Sequence, residues 1–219
     1  MARLATCFPA LEQLTLDDDK GVVVAALGCL PDGALPSVRQ VEGGYYEGLA
    51  DEELQQLVRL CPKVERVVKC AVTATAAVLP LLAPWGGSLQ KVSCTTNFGR
   101  TQWEPRQIAA ASAALTSLTR LQDLEMDCGE GRGAIVLAAA LPALTSLTRL
   151  NLEDWSFASL ALVLHSCAAS CSALRALQLG RMWSEARGHK ACLDWKDHDW
   201  AGFRGLELPG ITSLTLWTK

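Results

Sequence analysis

The chain has 219 residues, half of them apolar and a fifth charged, a soluble-globular balance in a length that holds one larger domain or two small ones. A formal net charge of −3 excludes bulk electrostatic attraction to nucleic acid or to an anionic membrane. Nine cysteines, an odd number with no CxxC pair, argue for reduced, buried thiols and against a disulfide framework.

Met1–Pro9 has no apolar core long enough for a secretory signal. It is acid-poor as far as Glu12, as a transit peptide would be, but it also fits the repeat that follows. The first apolar segment is Leu11-x-x-Leu14-x-Leu16, and its LxxLxL spacing recurs along the chain. Val38, Val64, Leu89, Leu121, Leu147, Leu174 and Ile211 each anchor a similar segment, the clearest being Leu121–Met126 and Leu147–Leu152. Alternation at the end of each segment predicts a strand with one buried face. Intervals between anchors are 27, 26, 25, 32, 26, 27 and 37 residues, so the fourth and seventh units are the common unit with an insertion. The heptapeptide Leu-Thr-Ser-Leu-Thr-Arg-Leu occurs twice, at 115–121 and 144–150, 29 residues apart. The strand register instead requires 26, from Leu121 to Leu147.

Three residues before each anchor stand Phe8, Leu35, Cys61, Gly86, Leu118, Leu144, Cys171 and Leu208, with proline directly after at Pro9, Pro36, Pro62 and Pro209. Proline there stops a helix before the strand begins. Between anchors the period becomes helical at Asp51–Leu60, whose acids open the segment, and at the alanine-rich Gly133–Leu141 and Phe157–Ala169. Gly129–Gly133 reads as a turn lacking the lysine of a nucleotide loop. Trp155–Leu174, uncharged and about a membrane span in length, fits the repeat and carries five serines, which argues against a membrane helix. A strand-turn-helix unit of this size buries its apolar face only when stacked on its neighbours.

This pattern resembles the leucine-rich repeat over nearly the whole chain. Leu49–Cys70, with its acidic helix start, Cys61-Pro62 and closing Cys70, is similar to the cysteine-containing subtype of F-box substrate receptors of ubiquitin ligases; no F-box precedes the array. The Asn of the repeat, three residues after the last strand position, occurs only as Asn97, with Asp19, Gly129 and Trp155 at matching places. Lys69 and Gly43 fall at positions that should point inward. The resemblance implies one leucine-rich-repeat domain over 1–219: a curved α/β solenoid of about eight repeats, parallel sheet on the concave face and helices on the convex face.

Residues interleaved between the buried positions project from the sheet and are the candidate partner-binding set. They include Asp17, Glu42, Arg66, Lys91, Asp123, Glu125, Asp127, Arg149, Asn151, Glu153 and Gln178. Acids gather in the first, fifth and sixth units, a surface for a basic partner segment. The insertion at 182–204 adds Trp183, Trp195 and Trp200, either as interface anchors or folded back on the unit beneath. His189, Cys192, Asp194, His198 and Asp199 can be drawn as a zinc site but match no finger spacing; His165 reads as a packing or capping residue. No catalytic constellation, cofactor motif or metal site is expected.

The expected function is a non-catalytic protein–protein interaction module of the cytoplasm or nucleus, with no nucleic-acid or membrane partner. One alternative is the substrate-recognition part of a ubiquitin-ligase adaptor. Another, of a different class, is a metal-dependent or regulatory activity on the insertion. Polar caps are missing from both terminal units, so the expectation is either a fragment of a longer array or partners that cover the ends of the solenoid.

Overall fold

Successive side chains leave a strand on opposite faces, so each LxxLxL segment makes a strand that is apolar on one side. In the structure, a computed structural model, residues 9–16, 27–43, 51–72, 78–96, 104–128, 131–153, 155–180, 182–184, 191–192 and 200–216 are described. In chain order the first elements are β1 (Gln13–Thr15), β2 (Gln40–Glu42), α1 (Asp51–Leu60), β3 (Arg66–Val72), α2 (Val78–Leu82), β4 (Lys91–Thr96) and α3 (Pro105–Thr116). They continue with β5 (Asp123–Cys128), α4 (Gly131–Ala140), β6 (Arg149–Glu153), β7 (Trp155–Ser156), α5 (Phe157–Ser170) and β8 (Ala176–Leu179). β9 (Met182–Ser184), β10 (Ala191–Cys192) and β11 (Ser213–Leu216) complete the set.

β1, β2, β3, β4, β5, β6, β8 and β11 form one all-parallel sheet in that spatial order. Gln13, Gln40, Arg66, Lys91, Asp123, Arg149, Ala176 and Ser213 pair in one row across it. Each stands two residues after its anchor, so the strands repeat at the intervals read from the sequence, the long fourth and seventh included. One backbone contact recurs at every junction. The Glu12 carbonyl accepts the Arg39 and Gln40 N–H groups at 2.8 and 3.0 Å, and the Thr148 carbonyl accepts those of Arg175 and Ala176 at 2.9 and 3.0 Å. Arg39, Glu65, Gln90, Gln122 and Arg175 do the same for the strands that follow them.

The strand register does not follow the spacing expected at Lys69. The β3–β4 register shifts between Val67 and Cys70, placing Cys70 opposite Cys94. An extra residue in β3 creates a bulge there, so Cys70 and not Lys69 takes the register position opposite Cys94.

The helices pack on one another in succession, α1 to α5. α1 presents Leu54, Leu57 and Leu60 to the core, and α5 presents Leu160, Val163, Leu164 and Cys167. Anchors Val38, Val64, Leu89, Leu121, Leu147 and Leu174 join them in one buried cluster. α4 starts at Gly131, so part of the glycine-rich run expected to be a turn is the first helical turn. α3 begins with Pro105 at a position that needs no N–H, and the Glu104 N–H is bonded instead to Gln107 Oε1 at 2.8 Å. Among the described residues, no helix is long and apolar enough to cross a membrane.

Two tryptophans tie units together from inside. Trp85 Nε1 donates to the Cys61 carbonyl at 2.6 Å and Trp155 Nε1 to the Met126 carbonyl at 3.0 Å. Both rings are fully buried. Burial continues to β8 but not to β11, where Leu214 and Leu216 are 58% and 45% exposed.

Candidate binding face of the sheet

With the apolar row of each strand committed to the core, the interleaved row stands on the opposite face of the sheet. In β6 the alternation is complete: Leu150 and Leu152 are buried, while Arg149, Asn151 and Glu153 are exposed or half-buried. Registry then sets cross-strand neighbours. Lys91, Asp123 and Arg149 are consecutive in one row, and Glu125, Asn151 and Gln178 in the next.

In the first row one carboxylate is shared by two cations, which leaves one positive charge over. Asp123 Oδ2 receives Lys91 Nζ at 3.1 Å from one side and Arg149 Nη2 at 2.9 Å from the other. The Asp123 side chain is only 13% exposed, so this triad is shielded more than a surface pair. Asp123 is therefore not an available acid for a basic partner, which narrows the acidic surface expected from the sequence.

The second row is left open. Among the described residues, no ion pair or hydrogen bond engages the Glu125 carboxylate. Beside it the Asn151 side-chain oxygen is buried without a hydrogen-bond partner. These residues line a cleft of about 350 Å³ that runs from Lys91 across β5, β6 and β8 to Ser213 and Thr215 on β11. An unsatisfied buried amide oxygen costs about 1–3 kcal/mol. Asn151 itself lines the cleft. The cleft thus offers a carboxylate and an amide, both requiring N–H donors, behind a closed charge triad.

The other expected residues are spread along the face. Glu42, on β2, accepts from Gln13 Nε2 at 3.3 Å, and Arg66 is exposed on β3. Glu153 packs over Gly180, where a Cβ would come within 2.7 Å of its Cγ. Asp127 lies in β5, Trp183 in β9 and Trp200 in the 3-10 turn Trp200–Phe203. Asp17 and Trp195 lie outside the described residues, as do His189, Asp194, His198 and Asp199 of the drawn zinc site. Among the described residues no group of three or more histidine, cysteine or acidic side chains could hold a metal.

No protein-family model matches this chain, and no curated protein does.

The insertion has structure that the sequence did not announce. β9 pairs in parallel with β7, the two-residue strand after β6, and β10 pairs antiparallel with β9. The Trp200–Phe203 turn is fastened to α5: Phe203 meets Phe157 edge-on with ring centres 4.9 Å apart, and His165 Nε2 bonds the Gly202 carbonyl oxygen at 2.9 Å. The Trp200–Phe203 turn thus lies against α5, and His165, expected to pack or to cap, is an exposed side chain that holds this turn by a hydrogen bond.

Proposed function

We propose that this chain is a leucine-rich-repeat solenoid acting as a non-catalytic protein-interaction module, and that its partner docks on the sheet face away from the core. The repeat reading is supported by eight strands in a single register at intervals of mostly 25–27 residues. It is also supported by buried apolar side chains at the anchor and three residues after it in each inner unit, and by one recurring backbone contact at each junction.

The observation that carries the docking reading is the cleft in which Glu125 and Asn151 stand without partners beside the saturated Lys91–Asp123–Arg149 triad. A partner segment supplying a lysine, an arginine or main-chain N–H groups would fit those acceptors and would be repelled less than at an open cationic row. A binding role is favoured there because the charged groups of the triad are engaged with each other.

Affinity purification with the full chain as bait tests this. The Glu125→Ala/Asn151→Ala double variant should lose the polypeptides that the parent retains, by about tenfold or more, as loss of two interface hydrogen bonds would produce. An unchanged set of retained polypeptides would remove the cleft from the docking surface.

A further inference from the structure

α5 ends on two buried thiols one helical turn apart, Cys167 and Cys171. Four residues advance a helix by about 6 Å, within the Cα separation that a disulfide spans. The turn is kept closed by the Cys171 N–H, which donates to the Cys167 carbonyl at 2.8 Å. Both residues line a cavity of about 360 Å³ between the end of α5 and the Leu208–Ile211 turn, room enough for a small reagent.

Cys61 provides the chain's own reference. It occupies the same place, three residues before its anchor, and is also buried, but one turn earlier it has Leu57 in place of a second thiol. Burial pushes the Cys61 thiol up to about 12. At Cys171 the neighbouring Cys167 thiol draws the group below the ordinary thiol range, against the upward push of burial. The Cys167 proton is correspondingly held well above the ordinary thiol range. Carbonyls at a helix C-terminus oppose a thiolate, so the lowering at Cys171 depends on Cys167.

We propose that Cys167 and Cys171 form an oxidisable dithiol, converted to an intramolecular disulfide by a peroxide that enters the cavity. The Cys171 thiolate attacks one peroxide oxygen, the O–O bond breaks, and hydroxide departs with the electron pair and takes up a proton as water. Cys167 sulfur then displaces the hydroxyl of the Cys171 sulfenic acid. The S–S bond forms, the S–O bond breaks, and the Cys167 proton leaves with that hydroxide as a second water. Two thiols and one hydrogen peroxide give one disulfide and two waters. Closure also withdraws Cys171 Sγ from the Leu141 carbonyl, 3.8 Å away across the junction with the preceding unit.

The test treats the full chain with hydrogen peroxide below one equivalent, blocks remaining thiols and maps linkages by mass spectrometry. A Cys167–Cys171 linkage should form at least roughly tenfold faster than any oxidation of Cys61, whose thiolate is scarce at neutral pH. Phenylarsine oxide, which releases water on joining two thiols, should be retained by the parent and lost in Cys167→Ala and in Cys171→Ala. In Cys167→Ala the alkylation of Cys171 should move to higher pH, a change that a purely packing role for Cys167 would not produce. Cys171 sulfinic acid or intermolecular disulfides without the 167–171 linkage would overturn the proposal, and so would retention of the arsenical by both variants. Linkage in the parent decides the matter even where a variant fails to fold.

Discussion

Cys61 shows how one buried side chain ties stability to pH. Its thiol loses a proton near 9.0 when unfolded and near 12 when folded. Between those values the folded chain binds the proton that the unfolded chain has released, so stability from this residue is present below pH 9 and is lost as pH rises through 12. A three-unit gap corresponds to at most about 4 kcal/mol. Urea unfolding at a series of pH values should therefore show the parent's margin over Cys61→Ala shrinking by roughly 1–3 kcal/mol across that window; a constant margin would mean the thiol titrates normally. At this scale the sequence was legible in part. The cysteines at the repeated position read as buried thiols, as Cys61 and Cys171 are. Which cations would find Asp123 was not legible, because spacing places side chains on a face without choosing partners among Arg66, Lys91 and Arg149.

Strands and helices were the most legible elements where the period was long. α1 follows the Asp51–Leu60 pattern at both ends, and every main-sheet strand lies at its anchor. The bulge in β3 was not legible, since nothing in Val67-Val68-Lys69-Cys70 marks an extra residue. The two-residue strands β7 and β10 are too short to carry a period at all. Trp155 is more instructive. It stands where the repeat pattern calls for asparagine, and its indole N–H makes a cross-unit hydrogen bond to the Met126 carbonyl. An apparent departure from the pattern thus keeps a buried donor in place. Trp155→Phe should cost about 0.5–1.5 kcal/mol, from loss of that hydrogen bond, while Trp155→Ala adds a cavity and should cost about 3–5 kcal/mol. Equal losses in thermal or urea unfolding would show that the hydrogen bond contributes nothing beyond the ring's volume.

Across the whole molecule, order along the chain and order in space coincide. No strand of the main sheet is inserted between two others out of sequence, which is why the architecture could be read by walking from anchor to anchor. The β11 edge is less well sealed than the middle of the sheet, with Leu214 and Leu216 exposed. The seven shared carbonyls have a mechanical consequence. Each joins only two neighbouring strands, so tension applied to the two termini would load the junctions singly and not all together. Stretched between optical traps, the chain should lengthen in successive small events. Each event should release one unit, about 90 Å for 26 residues of extended backbone; a single rupture that releases the full length at once would show that the units yield together.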